Sequence, residues 1–104
     1  MSDTQDDLPD RYACYANVAK GRGKLRNGAK VLVRYAPGGD DERMMVVGLS
    51  PGGRRIEIWV KTEHLTNPRI STVPPEHPHY SVWGAVDSRE KCEYMVTRIE
   101  NANV

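Results

Sequence analysis

The residues best suited to chemistry in this chain form a basic run near its start. In KGRGKLRNGAK, residues 20–30, a base occupies every second position from Lys20 to Arg26, and Lys30 closes the run. In an extended chain such side chains project to one side about 6.6–7 Å apart, close to the spacing of phosphates along a nucleic-acid strand. Glycine between them lets the backbone approach a ligand, and arginine can grip phosphate oxygens in pairs.

The run therefore predicts non-catalytic binding to nucleic-acid phosphates, through contacts that are mostly independent of base sequence. We expect the phosphate contacts to come from Lys20, Arg22, Lys24, Arg26 and Lys30, with Arg34 and Arg55 in support. The same pattern also fits a solvated hairpin arm, or an arm that docks on an acidic protein partner. A docking arm would make the chain an interaction or inhibitor module, suited to an accessory protein of a phage or mobile element.

A tryptophan in a charged strand is the second candidate. RRIEIWVK, residues 54–61, alternates strictly between aliphatic and polar residues. The aliphatic set faces the core, which leaves Trp59 on the polar face. An indole there can stack on a base, pack against a partner, or be covered by another segment of the chain. We therefore add Trp59 to the candidate binding residues as a stacking platform.

The histidines of HPH, residues 77–79, are the third candidate. On an extended segment His77 and His79 point the same way, as two ligands of one metal would. Glu76 or His64 could supply a third ligand, but no definite fourth ligand lies at short range. The flanking prolines favour a rigid surface crossing instead, so we predict no metal site and no cofactor.

Catalytic motifs give no comparable signal. The chain contains no nucleophile elbow, and GRGKLRNG lacks the spacing of a phosphate-binding loop. Cys14 and a histidine could form a dyad, but nothing in the sequence favours it. We predict that the protein is not an enzyme; the alternative is a small oligomeric enzyme whose site lies at a symmetric pore.

Length and charge limit the kind of protein this can be. The chain has 104 residues, which is enough for one domain with a single core. Its net charge is only +1, but residues 1–10 carry four aspartates, whereas residues 11–39 carry seven bases and no acid. We predict a disordered acidic leader over 1–10, able to fold back on the basic run, and one small barrel domain over 11–104.

Cysteine usage and hydropathy bear on the compartment. Cys14 and Cys92 are too few for a disulfide framework, and their spacing fits no zinc motif. Residues 1–10 lack the basic and apolar regions of a signal peptide, and no apolar run is long enough to span a membrane. We expect a cytoplasmic protein with reduced thiols and no membrane partner. The two cysteines are neighbours if the first and last strands pair.

Turn residues and two-residue alternation divide the chain into short elements. Strands are predicted at 12–18, 29–36, 43–49, 54–61, 80–86 and 92–99. A short helix is the alternative for the first of these, because three alanines recur there at helical spacing. A helical turn is predicted over 62–70, ended by Pro68, and an irregular crossing over 71–80. Tyr80 and Trp83 are assigned to the core.

Part of this layout resembles the SH3-like small barrels. NGAKVLVRY at 27–35, glycine turns on either side of a strand, and IWVKTEHLTNPRI at 58–70 carry the resemblance, which covers residues 27–73. In that class a Gly-x-x-V-x-V strand opens the barrel, and a one-turn helix precedes the closing strand. The chain lacks the acidic and aromatic cluster of proline-binding SH3 domains and the compact glycine-centred pattern of ribosomal and transcription-factor members.

The resemblance implies binding to nucleic acid, peptides or proteins rather than catalysis. With the strand pattern, it leads to an all-β prediction: a small SH3-like barrel of five or six short antiparallel strands with one short helical turn.

Overall fold

The computed structural model describes residues 8–20, 25–36, 42–49, 54–81 and 85–103, and parts of the predicted leader and basic run lie outside these ranges. Five strands, one turn of 3-10 helix and one α-helix occur in the described residues. In chain order they are β1 (Arg11–Val18), β2 (Lys30–Val33), β3 (Arg43–Leu49), β4 (Arg55–Lys61), the 3-10 turn (Thr62–His64), β5 (Leu65–Val73) and α1 (Arg89–Ala102).

The five strands form one antiparallel sheet in the order β4-β3-β2-β1-β5. β1 lies between β2 and β5, so that Cys14 is opposite Val33 on one side and Ile70 on the other. β4 and β5 are the two edges, and within the described residues they do not pair with each other. The prediction of five antiparallel strands is confirmed. The prediction of a closed barrel is wrong, because the edge strands lie at opposite ends of the sheet.

The predicted last strand, 92–99, is part of helix α1 instead. Its alternation of apolar and polar residues suggested a strand, but Cys92, Met95 and Ile99 also recur at helical spacing and are buried on one side of the helix. Ser88 caps the helix, because its side-chain oxygen accepts a hydrogen bond of 3.2 Å from the backbone N–H of Glu90. The fold is therefore mostly β with one helix, not all-β.

The predicted strand 80–86 is reduced to one bridge in the described residues. Val86 pairs with Tyr12 through two backbone hydrogen bonds of 2.8 Å, on the side of β1 where β2 has already ended. Tyr80 lies in a turn and is buried, as predicted for the core, whereas Trp83 lies outside the described residues.

The predicted helical turn over 62–70 is confirmed only at Thr62–His64, because β5 begins at Leu65. Pro68 lies within β5, where its missing N–H is tolerated on an edge strand. The strand bulges here: the register against β1 shifts between Tyr15 and Asn17, and Asn67 adopts a left-handed conformation with φ of 53°.

The main core lies between the sheet and α1. Alternation along β1 turns Cys14, Ala16 and Val18 towards the helix, and the small side chains at two of these positions let α1 approach closely. The buried members of this core are Cys14, Ala16, Val18, Leu25, Val31, Val33, Met44, Val46, Val60, Leu65, Cys92, Met95 and Ile99.

The predicted core face of β4 is confirmed. Val60 is buried in the main core, and Ile56 and Ile58 pack against it while remaining partly exposed. They are less covered because β4 is an edge strand.

A second, smaller cluster lies on the other face of the sheet. It contains Ala13, Tyr15, Leu32, Val47, Val73 and Tyr80. Tyr80 comes from the irregular segment 74–81 that follows β5, so this segment crosses the face opposite α1. Within the described residues, no helix combines the length and apolar character that a membrane span requires.

Candidate nucleic-acid interface

The face of the sheet turned away from α1, here called the outer face, is strongly basic. Along each strand it holds the residues that alternate with the core set. Among the described residues it carries one acid, Glu57, against seven bases: Arg11, Lys30, Arg34, Arg43, Arg55, Lys61 and Arg69. Such an excess of one charge gives the face a positive potential.

The strand register brings two of the predicted residues, Lys30 and Arg55, into the same row of the sheet. Leu32 is opposite Val47, and Val47 is opposite Glu57. Lys30 lies two residues before Leu32 on β2, and Arg55 lies two residues before Glu57 on β4. Because β2 and β4 run in the same direction, Lys30 and Arg55 lie together in the neighbouring row. One strand separates them, so their backbones are about 10 Å apart.

A cleft of about 540 Å³ opens on the outer face beside these two bases. Leu32, Val47 and the backbone of Gly48 contribute to an apolar floor, and Lys30 and Arg55 contribute the cationic groups. Residues 77–79 line the opposite side, together with Tyr15 and Ala29. The cleft therefore combines an apolar surface, aromatic rings and positive charge.

Three rings form one wall of this cleft, here called the ring wall: Tyr15, His77 and His79. The centroids of Tyr15 and His79 lie 5.9 Å apart, and those of His77 and His79 lie 5.1 Å apart. The hydroxyl oxygen of Tyr15 is hydrogen-bonded to Nδ1 of His79 at 2.8 Å. The backbone N–H of His79 also donates to Nδ1 of His77 at 3.0 Å, which orients the second imidazole.

The environment of the ring wall disfavours the charged forms of His79 and Tyr15. Burial lowers the pKa of His79, and the neighbouring His77, Lys30 and Arg55 lower it further. Burial raises the pKa of Tyr15. Lys30 and Arg55 supply positive charge at the edge of the cleft.

Lys30 is held in place by the ring wall. Its Nζ lies 4.5 Å from the centroid of the Tyr15 ring, a cation–π contact. Because the ammonium group interacts with the face of the ring, Lys30 is directed over the outer face.

Asn17 connects the same region to the edge strand β5. Its Oδ1 accepts a hydrogen bond of 2.9 Å from Nη1 of Arg69, and its Nδ2 donates to the carbonyl oxygen of Gly28 at 3.0 Å. Gly28 has a φ of 82°, which favours glycine, and it forms the turn that leads into β2. Asn17 thus positions both Arg69 and the end of the β1–β2 connection.

Arg11 attaches the crossing segment to the sheet. Its Nη1 donates to the carbonyl oxygen of Tyr80 at 2.6 Å, and its guanidinium carbon lies 4.3 Å from the centroid of the Tyr80 ring. The hydroxyl of Tyr80 in turn donates to the carbonyl oxygen of Pro9 at 2.8 Å. The approach to β1 is therefore fastened to the same segment that carries the ring wall.

The structure separates the members of the predicted basic run. Lys20 and Arg26 are exposed in the β1–β2 connection, Lys30 lies at the start of β2, and Arg22 and Lys24 lie outside the described residues. Leu25, within the run, is buried in the main core. Among the bases of the run that the structure describes, Lys30 alone lines the cleft.

The remaining predicted residues lie on the outer face but outside the cleft. Trp59 is 48% exposed on β4, opposite Met45. Arg34 follows β2 and extends its pairing, since its backbone N–H donates to the carbonyl oxygen of Met45 at 3.0 Å. The position of Trp59 agrees with the predicted polar face of β4.

The histidines predicted as an alternative metal pair are used in the ring wall. In the part of the chain that the structure describes, no group of three or more metal-ligating side chains is placed to hold an ion.

The two cysteines are buried in the main core and are not bonded to each other. Burial is the main cause that raises the pKa of Cys14 to about 12 and that of Cys92 to about 11, and the proximity of Cys92 raises the pKa of Cys14 further. The two residues are neighbours, but through the packing of α1 on β1 rather than through paired strands. Both thiols are protonated at neutral pH.

Sequence reasoning did not identify Arg11, Arg43, Lys61 and Arg69 as part of the basic surface. It also left the role of Tyr15 open. The signal was present as two-residue alternation: each base alternates along its strand with core residues. What was missing was the register that places these positions side by side.

No family model matches the chain, and no match was found among curated proteins or among solved structures. The outer face and its cleft are therefore the features of this chain that bear on its function.

Proposed function

We propose that this protein binds nucleic acid through the outer face of its sheet, without catalysing a reaction on it. The observation that carries the proposal is the charge of that face: counted along the described residues of the strands, bases from all five strands meet one acid, Glu57. Phosphate groups are the ligand that such a surface attracts most generally. The predicted phosphate contacts of Lys20, Arg22, Lys24 and Arg26 remain part of the proposal.

Binding of this kind depends on charge more than on base sequence. Lys30, Arg55 and Arg69 lie on three different strands of one surface, so they can meet successive phosphates of a strand laid across the sheet. Trp59, half exposed on the same face, can add stacking at the β4 edge.

The test is a titration of labelled single- and double-stranded DNA and RNA at several salt concentrations. For about four phosphate contacts, the logarithm of the binding constant should fall with the logarithm of salt concentration at a slope of about −3 for a single strand or −4 for a duplex. The double variant Lys30→Gln/Arg55→Gln should flatten the slope by about 1–2.

A matched control exists on the opposite side of the molecule. Arg89→Gln/Lys91→Gln removes the same charge from α1, where these side chains form exposed ion pairs with Glu93 and Asp87. The control should leave both affinity and slope close to the original values. Equal losses in the two double variants, or no binding at low salt, would contradict the proposal.

An acidic protein partner is the second candidate. The observation that favours it is Trp59, which is 48% exposed on the edge strand β4, because aromatic side chains are enriched in protein interfaces. If the protein binds an acidic protein partner, Trp59→Ala should abolish its binding to an acidic polypeptide such as polyglutamate. The protein should then bind nucleic acid no more tightly than it binds polyglutamate.

We also propose that the sheet is an open variant of the SH3-like arrangement. The proposal draws on the one-turn helix at Thr62–His64, which directly precedes β5, and on the position of β1 between β2 and β5. An experimental structure with a strand order other than β4-β3-β2-β1-β5 would contradict it.

A further inference from the structure

We propose that the cleft accepts one unpaired nucleotide of a bound strand, with its base against the ring wall and its phosphate beside Lys30 and Arg55. The inference rests on the proposed function and makes it more specific: the preferred ligand is a single strand. It assigns the cleft a role that the charge of the outer face alone does not require.

The shape and lining of the cleft suit a flat aromatic group. Its volume of about 540 Å³ lies within the range of sites that hold small ligands. The imidazole rings of His77 and His79, with centroids 5.1 Å apart, line the cleft, and Leu32 and Val47 add apolar surface. A base stacked on such rings gains contact with little dependence on which base it is.

The charges beside the cleft suit a phosphate. Lys30 and Arg55 both line it, and no acid does so among the described residues. Nζ of Lys30 lies 4.5 Å from the centroid of the Tyr15 ring, which places a positive charge next to the ring wall. A nucleotide carries an aromatic base and a phosphate on one small unit, and so it matches both halves of the cleft.

Preference for a single strand follows from this arrangement. A base in a duplex is stacked on its neighbours and paired, so it cannot enter a cleft lined by rings unless it first leaves the helix. An unpaired base enters without that cost. The same cleft would also bind a free nucleotide, which carries the same groups, and the experiment below separates the two sources.

The first experiment follows backbone amide signals by NMR during titration with four probes: a short oligothymidylate, uridine 5′-monophosphate, uridine and ribose 5-phosphate. The oligonucleotide and the monophosphate should shift the amides of Val47, His77 and His79. Uridine and ribose 5-phosphate should bind roughly tenfold more weakly than the monophosphate, because each lacks one half of the ligand.

The second experiment compares two single variants that remove one exposed arginine each. Arg55→Gln should reduce affinity for the oligothymidylate about tenfold, as expected for the loss of a charged contact to phosphate. Arg89→Gln, on α1, should leave it unchanged. Circular dichroism and thermal unfolding confirm that both variants fold.

The outcomes separate the two proposals. If the strand binds but the cleft amides do not shift, or if duplex binds as tightly as single strand, the cleft inference is overturned and the proposed function stands. If no strand binds at low salt, both are overturned. Binding of uridine 5′-monophosphate alone would overturn both and assign the cleft to a free nucleotide.

Discussion

The hydroxyl oxygen of Tyr15 and Nδ1 of His79 are hydrogen-bonded at 2.8 Å although 64 positions separate the two residues in the chain. Tyr15 lies on β1 in the middle of the outer face, and His79 lies on the segment that crosses it. This contact links the crossing segment to the sheet and creates one wall of the cleft. The stability of the domain and the shape of the proposed site therefore depend on the same pair.

Tyr15→Phe should lower the free energy of unfolding by about 1 kcal/mol, because it removes a partly buried hydrogen bond and keeps the ring. The ring still offers its face to Lys30, so the main loss is the link to His79. Urea denaturation measures the change. The control is Tyr94→Phe, since Tyr94 is 42% exposed on α1 and its hydroxyl loss should be nearly neutral. Equal stability of the two variants would show that the Tyr15 hydroxyl contributes nothing.

The lowered pKa of His79 makes stability depend on pH in a defined direction. Because the folded pKa lies below the ordinary value of 6.5, the unfolded chain takes up a proton first as the pH falls. The contribution of His79 is therefore complete above pH 6.5 and is lost as the pH falls towards the folded pKa. Burial is the main cause of the lowered pKa, and His77, Lys30 and Arg55 add to it, while the hydroxyl of Tyr15 is hydrogen-bonded to the ring.

Urea midpoints measured from about pH 7.5 down to about pH 5 test this sign. The wild-type midpoint should fall more steeply than that of His79→Gln, since glutamine does not titrate. His64→Gln, in the 3-10 turn away from the cleft, should retain the wild-type dependence. A His79→Gln profile parallel to wild type would contradict the assignment.

Gly48 should resist substitution because of what lies behind it in the main core. A Cβ at this position would lie 2.7 Å from Cδ2 of Leu25 and 3.1 Å from Cγ1 of Val31. Gly48→Ala should therefore cost about 1–3 kcal/mol of stability through overpacking. Leu25 must move to relieve the contact, and Leu25 is the residue that anchors the basic run in the core.

A double-mutant cycle checks that explanation. Leu25→Ala alone should be destabilising, because it removes a buried side chain. The combined variant should be more stable than the sum of the two single effects, since the added methyl group then occupies space that Leu25 has vacated. Additive effects would show that Leu25 is not the obstacle.

The acidic leader is expected to compete with nucleic acid for the outer face. Pro9, just before β1, accepts a hydrogen bond on its carbonyl oxygen from the hydroxyl of Tyr80. Residues 1–7 contain three aspartates. Deleting 1–7 should strengthen binding of an oligonucleotide several-fold at low salt and less at high salt, because the competing charge is screened.

A variant with these three aspartates changed to asparagine separates charge from length. It should reproduce the effect of the deletion, because the charge of the leader rather than its length competes for the outer face. If the affinity for the oligonucleotide is the same in both variants as in the wild type, the leader does not compete with nucleic acid for the outer face.

Much of the strand pattern was predictable from local residue types. RMMVVGL was predicted as a strand over 43–49, and β3 has those bounds; the core face of β4 followed from the alternation of its aliphatic residues. These predictions succeeded because side chains alternate across a strand whatever its partners are. The same rule placed Trp59 on the outer face.

The prediction of a strand over residues 92–99 was wrong for a related reason. Their apolar positions satisfy a strand period and a helix period at once, and local pattern cannot choose between them. The choice depended on the cap at Ser88 and on the open side of β1 and β5, where α1 packs. Packing against the sheet decided the element.

Local residue types therefore indicate which side chains share a face in a strand such as β4, and the amino-acid sequence concentrates basic charge in the first third of the chain. The meeting of Lys30, Arg55, Tyr15 and His79 at one cleft follows from the tertiary structure alone. Register and strand order arise from contacts between distant segments, and no local pattern specifies them. For that reason the outward positions of Arg55 and Trp59 on β4 were predictable, whereas the strand β5, which carries Arg69, and the cleft itself were not.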